Sequence, residues 1–444
     1  MKENQEQKTS ILPFSNLTGL QLFQLIRYAT FVFAGIGFAK IQLPQSTIGQ
    51  FETFLMVSGM VSFFWVSGII NTMLSTYAKF DSERQRSVFF NTFVSLFVFG
   101  IVAGALLLLF SDNLLLFLDK KNEGSFIRLA VIYLIFNSPS FLIEYILFLN
   151  NKREGLIAYA LLSSFVTLAV VLLPPVYGYD IEYSFYGLIA VAGVKLMALL
   201  FLIHRFGNFR FNTSLQTQNL RLSLPLMLSI FVSGSSEYID GLIVKSKFDD
   251  VAFAVYRYGA KELPVLLIVA NTFSTAMIAV VAGNLANGLS EMKRRSTRLM
   301  HLFFPLTIVL MLVSHHLYQY VFSENFIYSA FIFNIYLLLV IPRLVFPQTI
   351  LTGIQHSGFQ LVSSIIEITL NVSLSWYLAG KLGLPGIAIG TFIAFSVDKL
   401  FLITVNHWRF GIAPGQYIPV WLLAGYSLLT LLAFGAGYVI SVRF

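Results

Sequence analysis

Placing an ion in hydrocarbon costs at least about 2.5 to 3.5 kcal/mol on insertion scales, so charges embedded in long apolar runs are candidates for chemistry. Twelve such residues stand in this sequence: Arg27, Glu144, Lys195, Glu237, Asp240, Arg257, Lys261, Glu262, Arg343, Glu367, Asp398 and Lys399. Glu237 and Asp240 are spaced i, i+3, and Arg257 and Lys261 are spaced i, i+4, so each couple shares one helical face. The two couples flank a tip at Lys247-Phe248-Asp249-Asp250, which puts Asp240 and Arg257 each roughly 12 Å from it at the helical rise. Two readings follow. In one, the faces look into a central cavity where Arg257 and Lys261 meet an anionic ligand and the acids temper them. In the other, Asp240 with Arg257 and Glu237 with Lys261 neutralise each other across the hairpin. Arg27 has no acid within a turn of it in its own run, which suits an anion contact or a side chain snorkelling to the surface. Glu144, Glu237 and Asp240 are the candidate proton or cation carriers, or ion-pair partners. Glu144, Lys195, Arg343, Glu367 and Asp398 also suit interhelical polar contacts.

The elements that must hold these residues are membrane helices. Of the 444 residues, 57% are apolar and 11% charged, far below the roughly one-quarter charged content of soluble domains. On a ruler of about 20 apolar residues per span, spans fall near 18–40, 47–77, 88–110, 126–149, 155–175 and 184–204, then 219–244, 251–283, 297–321, 327–352, 357–379 and 384–405, with an extra one near 417–440. The expected division is a cytoplasmic tail over 1–17, a six-helix lobe over 18–204, a linker over 205–218, a second lobe over 219–405 and an extra C-terminal helix over 406–444. Fifteen Lys and Arg fall in the segments on the N-terminal side of the membrane and seven opposite, which predicts a cytoplasmic N-terminus.

Matching features recur at a displacement of about 200 residues. Tyr186-Gly187-Leu188-Ile189-Ala190 matches Pro385-Gly386-Ile387-Ala388-Ile389, and Leu149-Asn150-Asn151-Lys152-Arg153 matches Gly353-Ile354-Gln355-His356-Ser357. Six helices separate the copies, so they are parallel repeats, a plan that builds transporters from two bundles with a site between them. Gly100 with Gly104 and Gly386 with Gly390 have the spacing of close helix approach. Pro225, Pro342 and Pro347 are the candidate helix breaks.

Other function classes are disfavoured. Cysteine is absent, so there is no disulfide framework and no thiolate site. The net charge of +8 sits in short clusters between apolar runs, without interleaved aromatics, and reads as membrane topology rather than nucleic-acid binding. Neither H-E-x-x-H nor a phosphate-binding G-x-x-x-x-G-K-[ST] occurs. No cofactor is expected; coupling to a proton or sodium gradient or to the membrane potential is left open.

Residues 18–410 resemble the polysaccharide-biosynthesis exporters, the oligosaccharide (O-antigen type) flippases of the multidrug/oligosaccharidyl-lipid/polysaccharide superfamily. The likeness rests on Leu224-Pro225, then Asp240-Gly241-Leu242-Ile243-Val244, Ala254-Val255-Tyr256 and Phe273-Ser274-Thr275-Ala276-Met277. Further matches are Glu291-Met292-Lys293-Arg294-Arg295 with Pro305, Gly383-Leu384-Pro385-Gly386-Ile387-Ala388, and Ile48-Gly49-Gln50-Phe51, which departs from the family's Phe-Gly-Leu-Tyr turn. The resemblance implies an all-α polytopic fold with two six-helix lobes in a V around a central cavity, here with one extra C-terminal helix. It also implies alternating access in a bacterial inner membrane and an undecaprenyl-pyrophosphate-linked oligosaccharide as cargo. On this reading Arg27, Arg257 and Lys261 bind the head group, and membrane lipids and other polysaccharide assembly proteins are the partners. The alternatives are a multidrug or lipid II transporter of the same superfamily and, from a different class, a membrane polysaccharide polymerase or ligase.

Overall fold

The structure is a computed structural model that describes residues 14–77, 80–117, 124–356 and 358–443. Most of the tail expected over 1–17 lies outside these residues, as do Lys79, Lys120 and Lys121 of the topology count. The chain is all-α. Its first half comprises α1 (Phe14–Lys40), α2 (Gln45–Tyr77), α3 (Ser82–Leu109), α4 (Ser111–Phe117), α5 (Gly124–Ser140), α6 (Leu142–Leu149), α7 (Arg153–Val176) and α8 (Glu182–Phe206). The second half comprises α9 (Thr213–Gly234), α10 (Ser236–Lys247), α11 (Asp250–Gly259), α12 (Pro264–Gly283), α13 (Leu285–Val321), α14 (Ile327–Leu337), α15 (Val340–Arg343), α16 (Pro347–Gly353), α17 (Gly358–Leu382), α18 (Leu384–Phe410), α19 (Pro414–Tyr417) and α20 (Val420–Arg443).

Among the described residues twelve stretches are long and apolar enough to cross a membrane, one fewer than the thirteen spans expected. The missing one is 219–244, which the structure divides into α9 and α10 at Ser235. Trp408 and Trp421 are almost fully exposed on the outside of the bundle, as suits side chains at a lipid interface.

The two lobes repeat one packing plan. In the first, α3 packs on α5, α5 on α8 and α7 on α8. In the second, α13 packs on α14, α14 on α18 and α17 on α18 in the same order. The turns repeat as well. Asn151 and Gln355 are both left-handed, with φ 57° and 63°, in the segments matched by sequence. Each ends a short helix through the same pair of backbone bonds. The Lys152 N–H donates to Leu147 O at 2.9 Å and the His356 N–H to Leu351 O at 2.8 Å, so both turns leave few carbonyls unpaired. A Cβ on Gly187 would stand 2.8 Å from the Val170 Cβ, and one on Gly386 would stand 2.2 Å from the Leu378 oxygen. Both glycines therefore permit the same close crossing of a helix over its predecessor. The extra helix α20 lies against α13 and α14.

Three breaks shape the interior. Proline cannot continue a helix from behind and forces its predecessor into extended backbone. Leu263 accordingly has φ −67° and ψ 114° before Pro264, the first residue of α12. Lys261 and Glu262 therefore project from a gap between α11 and α12, in the run expected to be one helix over 251–283. Pro342 and Pro347 lie in α15 and at the start of α16, where the tenth span is broken as expected. Pro225 does not break its helix: α9 continues through it and ends at Gly234.

Breaking the ion pair that braces this region has a measurable consequence. Arg343 Nη2 and Nε donate to the two Glu262 oxygens at 2.6 and 2.8 Å, and both side chains are mostly buried. Arg343→Met leaves that carboxylate without its partner, which costs about 3 kcal/mol for a buried pair. A clear fall in the thermal unfolding midpoint of the purified protein is expected, with recovery of most of it in Glu262→Gln/Arg343→Met.

Candidate functional site

The lobes meet along α2 from the first half and α9 and α11 from the second. At the end bearing the α1–α2 turn they are sealed at backbone distance. Lys40 Nζ donates to the Tyr320 carbonyl at 2.5 Å, Gln45 Nε2 to the Asn325 carbonyl at 2.6 Å and Tyr258 Oη to the Gly35 carbonyl at 3.1 Å. Gly49 lies so near Asp250 that a Cβ there would stand 2.0 Å from its carbonyl oxygen. At the opposite end α1 reaches α12 through a side-chain bond, Gln21 Nε2 to Thr272 Oγ1 at 3.0 Å.

Between these ends lie two adjoining cavities of about 320 and 420 Å³, which share Gly59, Ser62 and Phe141 as walls. Arg257 and Lys261 line the first and Arg27 the second. All three cations singled out by sequence thus face the space between the lobes. Their pairing differs from either sequence reading. Arg257 Nε donates to Glu52 Oε2 of α2 at 3.2 Å, across the lobe boundary. Arg27 Nη1 donates to both oxygens of Glu144 on α6, at 3.3 and 3.0 Å, and its guanidinium stands 5.0 Å over the Phe141 ring. Snorkelling is therefore not what Arg27 does. Lys261 has no ion-pair partner among the described residues; its ammonium stands 5.2 Å over the Tyr258 ring. An ammonium lining a polar hollow can donate charge-assisted hydrogen bonds to an anion.

Asp240 does not pair with Arg257 and does not line this space. It is buried in the second lobe, where its Oδ2 accepts from the hydroxyls of Tyr256 at 3.1 Å, Tyr336 at 2.5 Å and Thr391 at 2.6 Å. Its Oδ1 is buried without a hydrogen-bond partner among the described residues. Asn371 Nδ2 joins the cage by donating to Thr391 Oγ1 at 3.2 Å. A buried carboxylate ringed by neutral oxygens suits a proton or a hard monovalent cation. The Glu237 side chain, and with it the expected pairing with Lys261, lies outside the described residues.

Two of the other embedded charges, Arg343 and Asp398, make the interhelical contacts expected of them. Arg343 pairs with Glu262, and Asp398 accepts from Ser363 of α17 and pairs with Lys399 at 2.9 Å. Two members of the site escaped the sequence reading. Glu52 is an acid within the second apolar run and met the criterion applied to the others. The place of Lys261 at a break depends on Pro264, three residues on, whose position at the very start of the next long apolar stretch was the signal of that break.

Residues 43–330 match the sequence profile of a family described as polysaccharide biosynthesis protein. No curated protein matches the sequence. Among solved structures, the chain is similar to the lipid II flippase MurJ in an inward closed conformation, with a TM-score of 0.68 at 15% identity over 94% of this chain and 92% of that one. It is similar to an inward-facing multidrug resistance transporter of the MATE family, in the MOP superfamily, with a TM-score of 0.62 at 15% identity over 89% and 98%. For an outward-facing transporter of that family the TM-score is 0.58 at 14% identity over 89% and 95%.

Proposed function

The chain belongs to the polysaccharide biosynthesis protein family, and on that premise we propose that it carries undecaprenyl-pyrophosphate-linked oligosaccharide across the bacterial inner membrane by alternating access. The carrying observation is Lys261, which has no ion-pair partner among the described residues, at a helix break beside Arg257 in a cavity between two repeated lobes. Non-helical backbone at membrane depth is tolerated where it lines a wet hollow, and transporter sites are commonly built at such breaks. The pyrophosphate takes Lys261 and Arg257, with Arg27 further along the route, and the saccharide occupies the hydrated space beside Ser58, Ser62 and Asn137. The polyprenyl chain stays in lipid. Cargo carrying positive charge is disfavoured by the same cations, which weighs against drug export. The N-terminus is assigned to the cytoplasm from the loop charges, and the saccharide is handed on to other polysaccharide assembly proteins.

Asp240 is the coupling group in this account, taking a proton or sodium in its oxygen cage. Asp240→Asn keeps the hydrogen-bond geometry but removes the charge. It is expected to lose at least about tenfold of gradient-driven accumulation, the equivalent of roughly 1.4 kcal/mol, while counterflow without a gradient persists. Imposing proton and sodium gradients separately on proteoliposomes checks this and identifies the ion.

The function itself is tested by reconstituting the protein with fluorescent lipid-pyrophosphate saccharide and measuring its loss of protection from an added membrane-impermeant quencher. Protein-dependent movement of that lipid supports the reading. Movement of lipid II alone, or of cationic dyes alone, would replace it with one of the rival transporters. A protein-dependent lengthening or transfer of the saccharide would indicate a polymerase or ligase.

A further inference from the structure

A third, smaller cavity of about 100 Å³ lies within the first lobe, and Lys195 of α8 lines it beside the Arg27–Glu144 pair. Arg27 already engages both Glu144 oxygens. Lys195 has neither an ion pair nor a side-chain hydrogen bond among the described residues, so its ammonium faces the cavity with its donors unspent. The remaining wall is that of a carbohydrate-compatible pocket. It offers the hydroxyls of Ser163 and Thr167, the Asn137 amide and the Tyr159 ring, which stacks on Phe23 at 5.7 Å. Arg27, Phe141 and Glu144 line both this cavity and the 420 Å³ space, so the smaller one is a side pocket of the cargo route.

We propose that this side pocket receives the carboxylate of an acidic sugar, with Lys195 as its counter-ion, so that the preferred cargo is a uronate-containing saccharide. The inference rests on the flippase reading above and names its substrate class. Charge balance favours a carboxylate. Two cations against one acid leave one positive charge, which a single carboxylate neutralises; a phosphate monoester brings about −1.5 to −2. The sugar ring occupies the larger cavity and its anionic substituent enters the side pocket, past the Arg27, Phe141 and Glu144 walls that the two spaces share. A neutral hydroxymethyl group in the same place leaves Lys195 to water.

The test compares two lipid-pyrophosphate disaccharides in proteoliposomes, identical except that one carries glucuronate and the other glucose. Wild type is expected to move the glucuronate form at least about tenfold faster at limiting concentration. Lys195→Met brings the ratio of the two rates close to one through loss of the acidic cargo, and Lys195→Arg keeps the preference. Equal rates for both lipids in wild type would overturn the proposal. So would an unchanged ratio in Lys195→Met, since a merely structural lysine, or one that serves the pyrophosphate, lowers both rates alike. If wild type moves neither lipid, the flippase reading fails, and that result is distinct from a loss of preference. A monodisperse elution profile for each variant separates misfolding from loss of recognition.

Discussion

Lys261→Ala is expected to slow translocation of pyrophosphate-linked cargo by about thirtyfold or more, because truncating one partner of a desolvated charge contact costs about 2 to 5 kcal/mol. The residue stands in the gap between α11 and α12 with no ion-pair partner among the described residues, so its charge is available to the cargo. Its removal therefore changes transport without the stability loss expected at Arg343. Lys261→Arg keeps the charge and recovers part of the rate. The neighbouring pair behaves differently. Arg257→Ala takes away a cation and also strips Glu52 of its partner, leaving an acid in the cavity that repels the pyrophosphate. Glu52→Gln releases Arg257 and is expected to strengthen binding of the anionic lipid. Opposite signs for these two changes in initial-rate measurements separate an anion route from a purely structural ion pair.

Gly49→Val is expected to abolish net translocation by holding one end of the molecule open. A Cβ at this position meets the Asp250 carbonyl oxygen at 2.0 Å, and a backbone atom on a helix start cannot step aside as a flexible side chain can. The seal at the α1–α2 turn then cannot close, although each lobe retains its own core. Transport falls by about a hundredfold or more if closure at that end is obligatory, a barrier of roughly 2.7 kcal/mol. The chain has no cysteine, so spin labels can be placed at Gln45 and Asn325, which touch in the sealed form. The distance between them should lengthen and stay long in Gly49→Val, whereas wild type should sample the short distance.

Much of this architecture was legible in the sequence because apolar length and local turn chemistry are short-range signals. The match of Asn150-Asn151-Lys152 to Ile354-Gln355-His356 became two left-handed turns with the same bonds. The Gly386 and Gly390 spacing became the close crossing of α17 and α18. Partner choice was not legible. Glu52 and Arg257 are 205 residues apart, and Arg27 meets Glu144 across 117, distances over which one-dimensional spacing carries no information. The hairpin argument gave Asp240 and Arg257 the same depth, which says nothing about azimuth. Asp240 in fact turns into its own lobe, towards hydroxyls of Tyr256, Tyr336 and Thr391. Neutral oxygens do not stand out in an apolar run, so that cage had no sequence signature. The break at Lys261 did have one in Pro264, and Glu52 stood in plain view within the second span.

The central claim is that the hollow between the lobes selects a pyrophosphate-bearing lipid through Lys261 and Arg257. Native mass spectrometry of the purified protein with equal amounts of undecaprenyl-pyrophosphate saccharide and the uncharged polyprenyl saccharide measures that selection directly. Retention chiefly of the pyrophosphate lipid by wild type, with the preference lost in Lys261→Ala, is the result the account predicts. Equal retention of the two lipids, or a preference that survives in Lys261→Ala, would contradict it.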